Sequence, residues 1–494
     1  MELLTEPDGI TGAAAAIQGI RDMRLLLHGQ NGCRKGLLPL ERCIPSEGPA
    51  IPYTDVSPSD YYGGTAIKLE RSLDALSGEG MVAVLETPAL TLIGDDVEGM
   101  AKSREGCIRL ETDSLGNDIG TGFDSAIASV LDHLAPERSG IIDNGVNILG
   151  LSVTHKDWRT VQMEMGHLLK NAGLRLVSVV GADCTLSDLR DSVRSRFNIV
   201  VDPEFCSRTV GFYEAMGVET VGIGCQPIGF DRVEDLYRAV SDATGRRTSH
   251  AFEMLAKYRR RAYDGIKAYS KSLVGKTYAI DASVSVSDPL SCWLETSFDM
   301  VADEFGRPDY LFTSGPKAFL EQASGGCGKG VAVRYPHRKY DFVKSPIMGL
   351  DGAMYLLDAL INRSRLECFL WNRNDGRHRP ATQHQHRLHK GIHRNNGGKQ
   401  RGIGWNRSIA PRCCCSDIPQ TNKCASVRGR SKDHPFPLVR SVEGCGCERG
   451  VRSGAPGLGA PMEYQASCLS PSLDLTLIRT LPRLFSPSPL KTPQ

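Results

Sequence analysis

Cys33 stands in the stretch LLLHGQNGCRKG (25–36), flanked by glycines and an asparagine and followed directly by Arg34 and Lys35. Backbone N–H groups and two neighbouring cations favour the thiolate, the form in which cysteine binds metal or acts as a nucleophile. A free cysteine in a tight turn fits the same residues. Asp95 and Asp96, in LIGDDVEGMAK, follow the apolar run MVAVLET and are placed to cap a helix starting at Val97. SGGCGKG (324–330) fails as a phosphate loop: Ala323 stands where the first glycine belongs, Gly330 replaces the Ser/Thr, and an apolar strand-like run follows. No other such loop occurs, so the expectation is that this chain binds no nucleotide.

These residues lie between elements of one repeating kind. Apolar runs of five to eight residues, among them RLLLHG, MVAVLET, VNILGLSV, FNIVVDP, KTYAIDAS, PDYLFTSG and GVAVRYP, alternate with helical-period segments such as DWRTVQMEMGHLLKNAG. Continuous apolar strands between helices imply parallel sheets covered on both faces. In such sheets, sites form at the carboxyl ends of strands, where a loop 28–33 would emerge. Breaks in the pattern suggest a first domain over 1–145, with a fresh strand at Val146. A second domain and a long polar helix follow over 146–272, and a third, shortened domain over 273–364.

Composition changes after residue 364. From Arg365 onward there are 21 Lys and Arg against 8 Asp and Glu, which leaves 38 basic and 49 acidic residues of the chain's 59 and 57 before it. The segment 365–494 lacks apolar periodicity, so it reads as a disordered basic tail, foreign to the rest of the chain. Its CCC (413–415), CGC (445–447) and His384, His386 and His389 lack the paired spacing of a zinc site. Basic residues without interleaved aromatics argue against nucleic-acid binding. No apolar run approaches the ~20 residues of a membrane span, and MELLTEPDGI is acidic where a signal peptide is basic. The expectation is a cytoplasmic protein whose 16 cysteines form no disulfide framework.

Taken in order, ITGAAAAIQGIRD, HGQNGCRKG, IPYTDVSPSDYYGGTAIKLERSLDAL, LETPALTLIGDDVEGMA and GTGFDSAIASVL resemble the first domain of nitrogenase component 1 proteins. FNIVVDPEFCSRTVGFYEAMGVET and QPIGFDRVEDLYRAV continue the resemblance, and YPHRKYDFVKSPIMGLDGAMYLLDALINR resembles that family's closing strand, loop and helix. The likeness spans about 1–364. It implies three Rossmann-like parallel-sheet domains and a core of two homologous component 1 subunits, as a homo- or heterodimer or tetramer. It also implies an iron–sulfur cluster, [4Fe-4S] in type, at the subunit interface, fed by a separate ATP-hydrolysing iron protein.

On this resemblance Cys33 matches a family cysteine that ligates the interface cluster. Two further family cysteines are replaced, one by Asp8 or its neighbours and one by Pro88. Cys43 and Cys107 lie in the same domain as substitutes, a partner subunit is another source, and Asp8 is a possible oxygen donor. The family's cofactor histidine corresponds to Met348 and its cofactor cysteine to Asp202, with Cys206 offset by four residues. Thioether and carboxylate replace imidazole and thiolate poorly, which argues against reduction of dinitrogen. Candidates to line the interdomain cleft are His28, Asp95, Asp96, Cys206 and Met348. The function implied is a component-1-like oxidoreductase subunit. The alternatives are a scaffold for metallocofactor or tetrapyrrole assembly, and a degenerate family member.

Overall fold

The computed structural model describes residues 6–41 and 51–371, apart from 77, 79, 112–115, 247, 268, 324–328 and 338–342. The expected disordered tail is corrected at its start, because residues 365–371 continue the last described helix, Gly349–Trp371. The rest of the tail lies outside the described residues, as do Cys43 and most of the glycine-rich stretch at 324–330.

The first stretch runs α1 (Gly9–Gln18), β1 (Met23–His28), α2 (Asn31–Glu41), α3 (Asp60–Gly63), α4 (Ala66–Leu76), β2 (Met81–Glu86), α5 (Pro88–Ile93), α6 (Val97–Lys102), β3 (Cys107–Arg109) and α7 (Ile119–Leu134). The second runs β4 (Ile142–Leu149), α8 (Trp158–Asn171), β5 (Arg175–Val179), α9 (Leu186–Ser192), β6 (Ser195–Val200), α10 (Ser207–Ala215), β7 (Glu219–Val221), α11 (Gly229–Thr244) and α12 (Ser249–Ile266). The third runs β8 (Thr277–Ile280), α13 (Val284–Phe298), β9 (Val301–Ala302), β10 (Tyr310–Ser314), α14 (Gly315–Ala323), β11 (Lys329–Arg334) and α15 (Gly349–Trp371).

Each stretch makes one parallel sheet, as its apolar strands require: β1-β2-β3, then β5-β4-β6-β7, then β11-β10-β8-β9. The fold class read from the sequence is the one observed. Three details differ. β4 opens at Ile142, ahead of Val146, because its first residues are exposed or half-buried and a register shift separates them from the buried run. β9 is a two-residue exposed strand with no apolar pattern to reveal it. The segment after His28 is helix α2 from Asn31, although Gly32, Gly36 and Pro39 all disfavour a helix.

α1 and α7 cross with their backbones nearly touching. Ala13, Ala14, Ala15 and Ala16 are fully buried, and a Cβ on Gly12 would collide with the Ile119 carbonyl, as one on Gly122 would with that of Gly9. Asp8 caps α1 and Asp118 caps α7, and the two form an isolated antiparallel bridge. A side chain at this crossing forces the helices apart. Gly12→Ala is therefore expected to destabilise the chain by about 1–3 kcal/mol, read as a lower midpoint in urea unfolding with an unchanged slope.

Candidate functional site at the carboxyl edge of the first sheet

β1 and β2 are parallel and pair His28 with Glu86, so both strands end at the same edge. Their exits abut: a Cβ on Gly29 would collide with the Thr87 side chain. α2 and α5 start here, with Pro88 as the first residue of α5. Cys33 is the third residue of α2, half-buried, its N–H donating to the Gln30 carbonyl at 3.1 Å. Burial raises its thiol pKa above the ordinary value; the hydrogen bond at the Gln30 backbone opposes it, the Asp8 carboxylate adds a smaller upward push, and the Cys33 backbone a still smaller downward one.

That electrostatic setting corrects the expectation of a thiolate held by Arg34. The guanidinium turns away, donating to the Ile51 carbonyl at 3.2 Å and pairing with Glu41 at 3.3 Å while lying over Tyr53. The charged group that bears on the thiol is Asp8, exposed at the N-terminus of α1, where it accepts from the Thr11 N–H at 3.0 Å. The free thiol is therefore the protonated form, and a bound cation is what would displace its proton.

His28 ends β1 with no exposed surface. Its Nδ1 lies 3.0 Å from the Thr54 hydroxyl, which also accepts the Gly29 N–H. Its Nε2 faces the Thr65 hydroxyl at 3.4 Å, and Thr65 donates to Asp95. The arrangement that satisfies every group has Thr54 donating to Nδ1 and Nε2–H pointing at Thr65, a neutral ring. Asp95 and Asp96 have separate work: Asp96 caps α6, accepting from the Gly99 N–H at 2.8 Å, while Asp95 closes the chain to His28.

The remaining sequence candidates are elsewhere. Cys107 opens β3 and pairs with Val82, four residues before Glu86 along β2. At ~3.3 Å per residue it sits at the opposite end of the sheet from Cys33. It is buried there among Leu26, Leu69 and Val84. One cluster cannot take both thiols from one chain. Met348 has no exposed surface and is part of the main apolar core.

Asp202 is fully buried and accepts from Gln226 at 2.7 Å, from His155 Nε2 at 2.9 Å and from the Glu204 N–H at 3.1 Å. Because His155 Nδ1 accepts the Ser152 N–H at 2.9 Å, the ring proton is on Nε2. Cys206, its thiol pKa pushed well up by burial and then by Asp124 and Asp202, donates to the Asp202 carbonyl at 3.2 Å. The donors at this position thus satisfy one another.

Sequence reasoning missed His155 and Gln226, although both follow strands of the second sheet at its carboxyl edge, the signal that marked His28. It also missed Glu164 of α8, which accepts the Leu350 and Asp351 N–H groups at 2.7 and 3.2 Å. Burial pushes the Glu164 carboxyl up to about 7. It forms part of a cleft of about 240 Å³ with Tyr237, Tyr258 and His167.

Among the described residues no group of three His, Cys, Asp or Glu side chains is arranged to hold a metal ion. The described donors of one chain do not fit a cluster needing four thiolates. No described helix is long and apolar enough to cross a membrane.

Burial holds the His28 ring down at about 4, against a smaller opposite pull from Asp95. A depressed histidine stabilises the fold above its unfolded value near 6.5 and loses that contribution as pH falls through 4. The stability advantage of the native chain over His28→Asn should therefore shrink between pH 6.5 and 4, measured as the difference in urea midpoints.

The family model described as nitrogenase component 1 type oxidoreductase matches residues 9–300. The nitrogenase molybdenum-iron protein alpha chain of Herbaspirillum seropedicae is 24% identical over 304 residues, 55% of this chain and 60% of that one. The chain thus spans about 60% of the length of that curated relative. Two solved structures share the fold at 17% identity. Nitrogenase Cp1 at pH 5 has a TM-score of 0.58, covering 74% of this chain and 89% of that one. Nitrogenase Cp1 at pH 6.5 has a TM-score of 0.56, covering 74% and 90%. With more than half of its length matched, this chain belongs to the nitrogenase component 1 type oxidoreductase family.

Proposed function

We propose that this chain is a redox subunit of the component 1 type, cytoplasmic, in which Cys33 supplies one thiolate to an iron–sulfur cluster shared with a second, homologous subunit. The carrying observation is the place of Cys33: half-buried in the first turn of α2, at the carboxyl edge of the first sheet, within electrostatic reach of Asp8 at the cap of α1. Among the described residues no second cysteine joins Cys33 there, so in this reading the remaining ligands come from the partner subunit or from Cys43, which lies outside the described residues. A [4Fe-4S] cluster would supply one-electron transfer, with an ATP-hydrolysing iron protein as donor. The chain's own residues hold the thiol, and Asp8 is a nearby carboxylate oxygen. The substrate would lie in the cleft between domains. This reading argues against reduction of dinitrogen, because the resemblance sets Asp202 and Met348 at the cofactor-ligand positions.

The closed network around Asp202 and the full burial of Met348 favour a second reading, a scaffold without turnover. Both readings need Cys33. Anaerobic reconstitution with iron and sulfide in the presence of candidate partner subunits, followed by metal analysis and electron paramagnetic resonance, tests them together. The native complex and Cys107→Ser are expected to carry a cluster, and Cys33→Ala to lose it. A cluster retained at native content in Cys33→Ala, or none in the native complex, would overturn the proposal. Turnover that depends on an added iron protein and ATP would favour the redox subunit over the scaffold.

A further inference from the structure

The third sheet has a polar cluster at its own carboxyl edge that the proposed function does not use. Its order, β11-β10-β8-β9, reverses direction between β8 and β10, and parallel sheets place ligands in the crevice at such a reversal. Asp281 follows β8 at this point, and Thr313 of β10, Lys317 of α14 and Arg334 of β11 converge on it. One oxygen, Asp281 Oδ2, accepts from Thr313 at 2.7 Å, from Arg334 at 2.9 Å and from Lys317 at 3.1 Å. Arg334 Nε also donates to the Asp281 carbonyl at 2.6 Å, which fixes the plane of the guanidinium. Burial favours protonation of Asp281, but the Thr313 hydroxyl, Arg334 and Lys317 outweigh it and keep the carboxyl below its ordinary value.

One fixed carboxylate thus holds two cations side by side and leaves one positive charge uncompensated. A second carboxylate fills that place. Glu6, from the opposite end of the described chain, lies 2.8 Å from Arg334 and pairs also with Lys317. Its side chain is 58% exposed, against 17% for Arg334. The cations are anchored in the fold, whereas the carboxylate sits on them from outside. Exposed ion pairs of this kind contribute little to stability. A planar guanidinium beside an ammonium suits an oxyanion with two or more acceptor oxygens.

We infer that Arg334 and Lys317, oriented by Asp281, form a binding site for a compact oxyanion, a phosphate or carboxylate group, and that Glu6 occupies it as an internal competitor. The inference stands independently of Cys33. Calorimetric titration of the full-length chain with inorganic phosphate, and separately with acetate, tests it. Removing a competitor that fills the site most of the time raises apparent affinity by the reciprocal of the free fraction, so Glu6→Gln should bind phosphate about fivefold more tightly. Arg334→Gln should lose binding. Lys317→Gln, at a more exposed position, should weaken it and guards against misfolding of the Arg334 variant. Preference for phosphate over acetate assigns a phosphoryl group, and equal affinity assigns a carboxylate. Equal binding by the native chain and Glu6→Gln, unchanged binding in Lys317→Gln, or no binding in any form would overturn the inference.

Discussion

The close crossing of α1 and α7 is the constraint on which the arrangement of the first two sheets depends. Glycines at 9, 12 and 122 let the two backbones meet, and both helices extend the contact toward the second sheet. A Cβ on Gly19, at the end of α1, would collide with the Gly181 carbonyl in the loop after β5. In α7, Gly120 lies against the Glu204 carbonyl, while Asp124 accepts from the Thr209 N–H at 2.9 Å and its hydroxyl at 2.6 Å, capping α10. Backbone-to-backbone approach has no flexible side chain to absorb an error. The position from which the Asp8 charge acts on Cys33 is set by this crossing, because Asp8 caps the same α1 that the crossing holds.

The three sheets share an architecture and differ in the polar group at the carboxyl edge. In the first sheet it is a histidine kept neutral by burial, its two ring nitrogens facing threonine hydroxyls. In the second it is a carboxylate whose acceptors are filled from within. In the third it is a carboxylate that holds cations facing outward. Parallel strands deliver their ends to one edge, so residues just past a strand meet there whatever their distance in sequence. Packing then decides which edge stays open. Full burial of Asp202 and Met348 closes the second, whereas an exposed Glu6 and a half-buried Lys317 leave the third in contact with solvent.

Much of the fold was legible because buried parallel strands are continuous apolar runs. The exceptions were elements whose local residues oppose them. α2 carries two glycines and a proline, and holds through packing of Leu37 and Leu40. β9 is too short and exposed to leave a pattern. At the site, the place of Cys33 just past the first strand was legible, but the direction of Arg34 was not, since it is set by Glu41 and the Ile51 carbonyl. Cys107 belonged to the right domain yet the wrong end of its sheet, a matter of register alone. The meeting of Glu6 with Arg334 joins distant parts of the chain and leaves no local signal.

Thiol labelling of the native chain tests most directly whether Cys33 is the ligand offered at the edge of the first sheet. The metal-free protein would be treated with iodoacetamide for increasing times and modification followed peptide by peptide with mass spectrometry. Cys33, half-buried on the first turn of α2, should be alkylated well before Cys107, which is enclosed by Leu26, Leu69 and Val84. Bound iron and sulfide should then protect Cys33. Slower modification of Cys33 than of Cys107, or no protection by the cluster, would contradict the placement on which the proposed function rests.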